Sequence, residues 1–258
     1  MQSFKSKNRI LVGIILFTAI ASLVSFSMRS SAGTQGKGQK ASPETENYSG
    51  PVVDYDTNSQ VSSLKDPKKQ ELKQIKSKRY NHRAPEPLGN FASVSFEVNT
   101  HWNIGLQPLP VKESDIIVLG KVIDAQAYLS SDKMGVYSEF TLNVERLFKN
   151  SEPPIGESLV LEREGGVVRF SSGRLLPYKI NGQRLPRSQR EYVFFLKHNL
   201  QGEDYHIITG YQILQNKIVP LDEVDKFQVF NDMEAEQFIK TLQEAVVDSP
   251  RQKRGNNN

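Results

Sequence analysis

The clearest pattern of apolar and polar positions lies between Ser114 and Lys149, where two long strand patterns flank a polar turn. From Glu139 to Glu145 the polar and apolar residues alternate one by one. Successive side chains of a β-strand leave opposite faces of the sheet, so this alternation predicts a strand with one buried face. The first pattern opens with the apolar run Ile116 to Leu119, which is typical of a central strand covered on both faces.

Further strand patterns follow, separated by breaks that contain glycine or proline. They cover Ser158 to Glu164, the aromatic run Tyr192 to Leu196, Tyr205 to Leu214 and the pair Ile218-Val219. After the first of these, Gly165-Gly166 predicts a two-residue hairpin turn, because glycine adopts positive φ without strain. Five to six short antiparallel strands with such breaks predict a mainly β domain, a small closed or partly open β-barrel.

The period changes at the C-terminal end of this domain. From Ala235 to Val246 the apolar residues recur at helical spacing, which predicts an amphipathic helix packed on the barrel. We therefore place the β-barrel domain with its C-terminal helix at residues 88–248. The polar residues 249–258 that follow are predicted to be a disordered tail.

Residues 33–87 are predicted to be a disordered polar and basic linker, because they hold few large apolar residues. The part from Lys65 to Arg83 contains eight Lys or Arg residues and has room for a short helix over Lys68 to Arg79. This part is either a basic arm for anionic lipid, glycan or nucleic acid, or a solubilising tether. A run of like charge favours the tether.

Residues 1–32 have the pattern of a targeting segment. Lys5, Lys7 and Arg9 precede the apolar run Ile10 to Phe26, which indicates a signal peptide or a membrane anchor. The run is long for a signal core but shorter than the about 20 residues of a usual transmembrane helix, so both alternatives stay open. Both predict an extracytoplasmic protein, either secreted or anchored to the cytoplasmic membrane by this segment.

The chain of 258 residues contains no cysteine, which excludes disulfides, zinc–thiolate sites, lipoprotein lipidation and a cysteine nucleophile. Its four histidines lack metal-binding spacing, and His206 is expected to be partly exposed. We find no nucleophile motif and no glycine-rich phosphate loop before a helix. Glu162 and Glu164 share one side of a strand and are predicted to face water. No catalytic residue, metal or cofactor is therefore expected.

Three segments resemble the netrin module and the tissue inhibitors of metalloproteinases, namely Ser114 to Val122, Tyr137 to Lys149 and Arg190 to Lys197. Ser131 to Leu142 is also similar to a strand of uncharacterised exported proteins of environmental bacteria. The resemblance covers less than half of the domain and implies an OB-like barrel. In the inhibitor family a disulfide-locked N-terminal cysteine chelates the protease zinc. Because this chain has no cysteine, that activity is not implied.

A basic region with interspersed aromatic residues runs from Arg163 to Tyr192. By strand alternation the Arg163 side chain points inward, and we place it at a rim of the barrel. Arginines beside aromatic residues on an OB-like barrel suit an anionic polymer, bound by charge attraction and stacking. Alternatively, the arginines pair with the section Leu221 to Asp248, which holds eight carboxylates and two lysines. The region also contains Lys179 and Arg184, and the candidate ligand-binding residues are Arg163, Arg169, Arg174, Tyr178, Arg187 and Arg190.

These patterns predict an exported, non-enzymatic binding or interaction module of the cell envelope. The expected partner is an anionic polymer or an envelope protein, with nucleic acid disfavoured by export, and the membrane if the N-terminal segment is uncleaved. One alternative is a macromolecular inhibitor of an extracellular hydrolase, with the loop Ser130 to Gly135 as its contact. Another is a hydrolase whose site the sequence does not display. The sequence does not indicate the oligomeric state.

Overall fold

The structure of the protein, a computed structural model, describes residues 50–56, 66–151 and 155–249. The predicted signal peptide or anchor, and all but the first residue of the predicted tail, lie outside the described residues. In chain order the elements are β1 (Val52–Asp54), α1 (Pro67–Arg79), β2 (Phe96–Val98), β3 (Ile116–Leu129), β4 (Val136–Asn150), β5 (Ser158–Glu164), β6 (Gly166–Arg169), β7 (Leu175–Ile180), β8 (Glu191–Asn199), β9 (Asp204–Leu214), β10 (Lys217–Pro220) and α2 (Ala235–Asp248).

Six strands form a sheet in which five strands, β9-β5-β4-β3-β8, close into a ring and β10 adds to β9. Its strand order is β10-β9-β5-β4-β3-β8, and β8 also pairs with β9. The closing contact between β5 and β9 is parallel and short, pairing Leu161 with Tyr205 and Glu162 with His206. The predicted mainly β fold class, with a C-terminal helix packed on a ring-like sheet, is confirmed. Within the described part of this sheet, the β5–β9 pair departs from the predicted antiparallel arrangement.

The sequence patterns do not predict the second sheet, which has the strand order β1-β6-β7-β2. Its central pair β6–β7 is antiparallel, and β1 and β2 add to it in parallel. The hairpin predicted at Gly165-Gly166 is wrong, because these glycines carry the chain from β5 in the ring to β6 in the second sheet. Gly166 has a φ of 153°, and a Cβ at this position would lie 2.8 Å from Val136 Cγ1, so the connection requires glycine.

Apolar side chains pack on both faces of β3. Ile116 and Val118 belong to the cluster inside the ring. Ile117 and Leu119 belong to a second cluster on the outer face, where they pack with Phe238 and other residues of α2. The prediction of a central strand covered on both faces is therefore confirmed.

The predicted linker is wrong for the described residues 50–56 and 66–87. β1 adds to the second sheet, and residues 66–87 fold against the ring and the second sheet. The helix α1 begins after Asp66, whose side chain accepts a hydrogen bond from the Lys68 N–H at 3.0 Å. Tyr80 and Ala84, which follow α1, are buried. The composition of this segment suggested disorder because α1 docks through charged side chains, which also occur in solvated chains.

Candidate functional site

A cleft of about 520 Å³ lies between the loop 181–190 and the strands β7 to β10. Ligand pockets commonly have volumes of about 300–1,000 Å³, so the cleft has the size of a binding site. Its polar lining combines basic, aromatic and acidic side chains. These include Lys179, Arg184, Arg187, Arg190, Tyr178, Tyr192, Glu164 and Glu223.

The basic side chains give the cleft a net positive charge, since four of them accompany two carboxylates. Arg184 forms an ion pair with Glu223. Arg187 and Arg190 are exposed, and neither forms an ion pair with a residue that the structure describes. The guanidinium groups of these two arginines are therefore available to an anion.

The loop 181–190 is held in place by a buried ion pair. Arg163 Nη2 lies 2.8 Å from Asp222 Oδ2, and both side chains have no solvent exposure. Each partner also binds the backbone of Arg184. Arg163 Nη1 donates to the backbone carbonyl of Arg184 at 2.7 Å, and the backbone N–H of Arg184 donates to Asp222 Oδ1 at 3.0 Å. Thr209 Oγ1 donates to Asp222 Oδ2 at 2.8 Å, which completes the set of donors around this carboxylate.

Further backbone contacts fix the C-terminal half of the same loop. The Arg187 N–H donates to Tyr192 Oη at 3.0 Å. The Gln189 N–H donates to the carbonyl of Val122 at 2.7 Å, and the Val122 N–H donates to the carbonyl of Arg190 at 2.9 Å. The loop is thus attached at or beside each arginine that lines the cleft. Such preorganisation lowers the conformational entropy that ligand binding has to remove.

No protein-family model matches the chain, and no curated protein matches it. The resemblance to the netrin module and the tissue inhibitors of metalloproteinases therefore stays a prediction.

Half of the six candidate ligand-binding residues line the cleft. Tyr178, Arg187 and Arg190 are among its lining residues, together with Lys179 and Arg184 of the same basic region. Tyr178 is buried, and its Oη donates to a carboxylate of the cleft wall. The structure thus brings together the second half of the basic region that the sequence singled out.

The other three candidates lie elsewhere. The placement of Arg163 at a barrel rim is wrong, because its side chain is fully buried against Asp222. Arg169 on β6 pairs with Asp54 on β1 at 2.5 Å, and Arg174 lies over an aromatic ring, 4.0 Å from the centroid. Neither Arg169 nor Arg174 lines the cleft.

The acidic section Leu221 to Asp248 supplies two of the partners that sequence reasoning left unassigned. Asp222 pairs with Arg163, and Glu223 pairs with Arg184. The alternative in which arginines pair with this section therefore holds for these two arginines. The only signal for Asp222 was its membership in an acidic section, because strand patterns do not reveal which charges meet.

The prediction that Glu162 and Glu164 face water is wrong. Glu162 has no solvent exposure, and Glu164 is half-buried. Both are covered by the segment after α1, where Arg83 Nε lies 3.6 Å from Glu164 Oε1. Burial raises the pKa of Glu164, and Arg83 and the hydrogen bond from Tyr178 oppose this rise. The sequence pattern predicted a linker for the covering segment, so both carboxylates were expected to be exposed.

The remaining predictions concern metal binding, His206, the loop of the inhibitor alternative and a membrane-spanning helix. Among the described residues, no three His, Asp or Glu side chains are grouped to hold a metal ion. His206 is half-buried, and burial with nearby arginines lowers its pKa to about 4. In the loop of the inhibitor alternative, Ser130 Oγ donates to Asp132 at 2.7 Å and accepts from the Gly135 N–H at 2.8 Å. No helix within the described ranges is long and apolar enough to cross a membrane.

Proposed function

We propose that this protein is an exported, non-enzymatic binding module of the cell envelope that holds an anionic polymer in the cleft along the loop 181–190. The observation that carries the proposal is the pair of exposed guanidinium groups, Arg187 and Arg190, on a cleft of about 520 Å³. Neither group is neutralised by a carboxylate of the described residues. An anion that enters the cleft therefore gains charge attraction without displacing an existing partner.

The chemistry of the two arginines indicates the class of ligand. A guanidinium group presents paired N–H donors that match carboxylate, sulfate or phosphate oxygens. Because Arg187 and Arg190 follow each other closely on an attached loop, they can contact neighbouring charged groups of one polymer. Glu164 and Glu223 repel an anion placed next to them, so the polymer is expected on the Arg187 and Arg190 side of the cleft.

The predicted export of the protein narrows the choice among anionic polymers. The pattern of residues 1–32 indicates export, with attachment to the membrane if the segment is uncleaved. Because an exported protein meets the polymers of the envelope, we expect a sulfated, phosphorylated or carboxylated polymer rather than nucleic acid. The proposed binding requires no cofactor.

Charge reversal of the two arginines, Arg187→Glu with Arg190→Glu, is expected to weaken polymer binding at least about tenfold. The measurement is titration of the purified protein with heparin, poly(glycerol phosphate) and DNA over a series of salt concentrations. Contacts with a polyanion release its counterions, so the affinity of the unmodified protein should fall steeply with salt. The salt slope of the variant should be smaller by about two.

The matched control is Arg146→Glu with Lys240→Glu, which makes the same change in net charge at two exposed positions outside the cleft. This control is expected to change the affinity by less than about twofold, because distant exposed charges are screened by salt. An equal loss in the control would show that only net charge matters and would refute the cleft. Absence of binding by the unmodified protein to all three polymers would refute the proposal itself.

Loop attachment gives a second test of the same cleft. Tyr192→Phe removes the acceptor of the Arg187 N–H and is expected to weaken polymer binding by about two- to tenfold. Tyr211→Phe serves as the control, since it also removes one hydrogen bond of a buried tyrosine, but from Pro108 outside the cleft. Equal affinities of the two variants in the same titration would contradict a role of loop attachment.

A further inference from the structure

The cleft lies over a continuation of the sheet face that lines the interior of the ring. On β9, Tyr211 and Ile213 pack in the cluster on the outer face, so Gln212 and Leu214 point to the inner face. β10 extends this face at the edge of the sheet, where Val219 pairs with Gln212. Gln212, Leu214 and Val219 all line the cleft.

The floor of the cleft reaches the apolar interior of the ring. Tyr192 and Leu221 line the cleft and also belong to the cluster inside the ring. Leu185 of the loop 181–190 lines the cleft and packs against the same cluster. An apolar group that enters the cleft can therefore contact the end of an apolar interior.

Four aliphatic side chains of the cleft remain partly exposed. Leu214 is 39% exposed, and Leu185, Val219 and Pro220 are half-buried. Single exposed apolar residues are common on protein surfaces, whereas here four of them share one cleft. Covering these side chains with an apolar ligand group removes them from water and stabilises the complex. The cleft thus offers an apolar contact in addition to its two free guanidinium groups.

The aromatic side chains of the cleft present little surface for stacking. Tyr178 and Tyr192 are buried, with exposures of 0% and 1%. Nucleic acid bases bind by stacking on open aromatic faces, and these two tyrosines do not present such faces. Because the accessible apolar surface of the cleft is aliphatic, it suits an alkyl chain better than a planar ring.

Tyr192 places the arginines beside this apolar surface. Its side chain belongs to the cluster inside the ring, and its Oη accepts a hydrogen bond from the Arg187 N–H at 3.0 Å. Arg190 precedes Tyr192 by two residues, and its carbonyl accepts from the Val122 N–H on the neighbouring strand β3. Side chains two residues apart on an extended chain point to the same face. An anion bound by the two arginines therefore directs its substituents toward the aliphatic side chains.

We propose that the polymer held in the cleft is acylated, so that an alkyl chain lies beside a bound anionic group. The anionic oxygens bind Arg187 and Arg190. The alkyl chain covers Leu185, Leu214 and Val219. This inference rests on the proposed function, because it specifies the chemical class of the polymer that binds in the same cleft.

A series of alkyl phosphates measures the apolar contact separately from the charge. The purified full chain is titrated with ethyl, butyl and hexyl phosphate in detergent-free buffer, with each compound below its micelle concentration. We expect the affinity to rise about two- to fourfold for each added methylene group, since each group buries apolar surface. Equal affinities for the three phosphates, or no binding of any of them, would overturn the proposal.

A salt series separates the two parts of this interaction. Salt screens the attraction between the phosphate group and the arginines, so the affinity for all three phosphates should fall as the salt concentration rises. The ratio of the hexyl phosphate affinity to the ethyl phosphate affinity should not fall, because burial of apolar surface does not depend on charge. A ratio that falls together with the affinities would contradict a separate apolar contact.

Leu214→Asn tests the aliphatic side chains directly. This variant is expected to reduce the gain in affinity from ethyl to hexyl phosphate at least about threefold, with less than about a twofold change for ethyl phosphate. The control Leu147→Asn makes the same change on β4, at a position that is 42% exposed and does not line the cleft. An unchanged gain in Leu214→Asn, or an equal loss in both variants, would refute the contact.

Polymer titrations distinguish this inference from the proposed function. Poly(glycerol phosphate) that carries hexanoyl esters is expected to bind at least about fourfold more tightly than the unmodified polymer, and Leu214→Asn should lose this gain. If the unmodified polymer binds through Arg187 and Arg190 but the esters add nothing, the proposed function stands and the acyl contact fails. If Arg187→Glu with Arg190→Glu changes no affinity, both fail. Binding to phosphatidylglycerol vesicles without binding to the esterified polymer would overturn the assignment to a polymer.

Discussion

Replacing Asp222 with asparagine is expected to lower the free energy of unfolding by about 3–5 kcal/mol. The substitution preserves the shape of the side chain but leaves Arg163 as an uncompensated charge, at a place where both partners have no solvent exposure. The bond from Arg163 to the Arg184 carbonyl and its position 5.5 Å from the Trp102 ring centroid do not replace a full negative charge. Denaturant unfolding followed by the fluorescence of Trp102, the single tryptophan, measures the loss.

The control for this prediction breaks a second Arg–Asp pair by the same chemical change. Asp54→Asn removes the partner of Arg169, where the two side chains are 45% and 55% exposed. Exposed ion pairs contribute little because water already solvates both charges. The unfolding midpoint of this variant should match that of the unmodified protein. Equal destabilisation by both variants would contradict the role assigned to burial of the Arg163–Asp222 pair.

The second large effect is expected in the contact between α2 and the ring. Phe238→Ala should lower the free energy of unfolding by about 3–5 kcal/mol, since the side chain is fully buried and its removal leaves a cavity. The ring of Phe238 packs 4.8 Å from that of Tyr211 and 5.3 Å from that of Phe230, measured between centroids. Thermal and denaturant unfolding, followed by circular dichroism, measure the change.

A position on the exposed face of the same helix provides the control. Val247 is 82% exposed, so Val247→Ala should leave the free energy of unfolding nearly unchanged. If Phe238→Ala were equally mild, α2 would not be an integral part of the fold. The helix would then have to be regarded as a peripheral addition to the ring.

The strands of the ring and the helix α2 could be predicted because their buried faces produce a period in the sequence. Ile116 to Leu119 illustrates this, since alternate residues of the run pack inside the ring and against α2. The two outer strands of the second sheet gave no such signal. These strands, β1 and β2, have three residues each, too few for a period, and they pair in parallel with strands distant in the chain.

The sequence predicted which residue types form the candidate site but not how these residues are arranged in space. Arg187 and Arg190 belong to a basic region that is legible in the sequence, and the structure places them on one cleft. The partner of Arg163 could not be found, because Asp222 lies 59 residues away in the chain. The role of Lys76 and Arg79 in docking α1 could not be predicted for a related reason. A basic helix that docks on buried carboxylates has the same composition as one that is solvated.

The strand pairs that close the ring, β3–β8 and β5–β9, join segments that are far apart in the chain. β3 and β4 join across a short turn, whereas Ile116 pairs with Leu196, and Leu161 pairs with Tyr205. Closing a long loop costs more chain entropy, so the β3–β4 hairpin should form early and the ring should close late. A chain truncated before Glu191 lacks β8 and β9 and keeps the edges of β3 and β5 unpaired. Such open edges can pair with other chains, so truncated fragments are expected to aggregate rather than to fold.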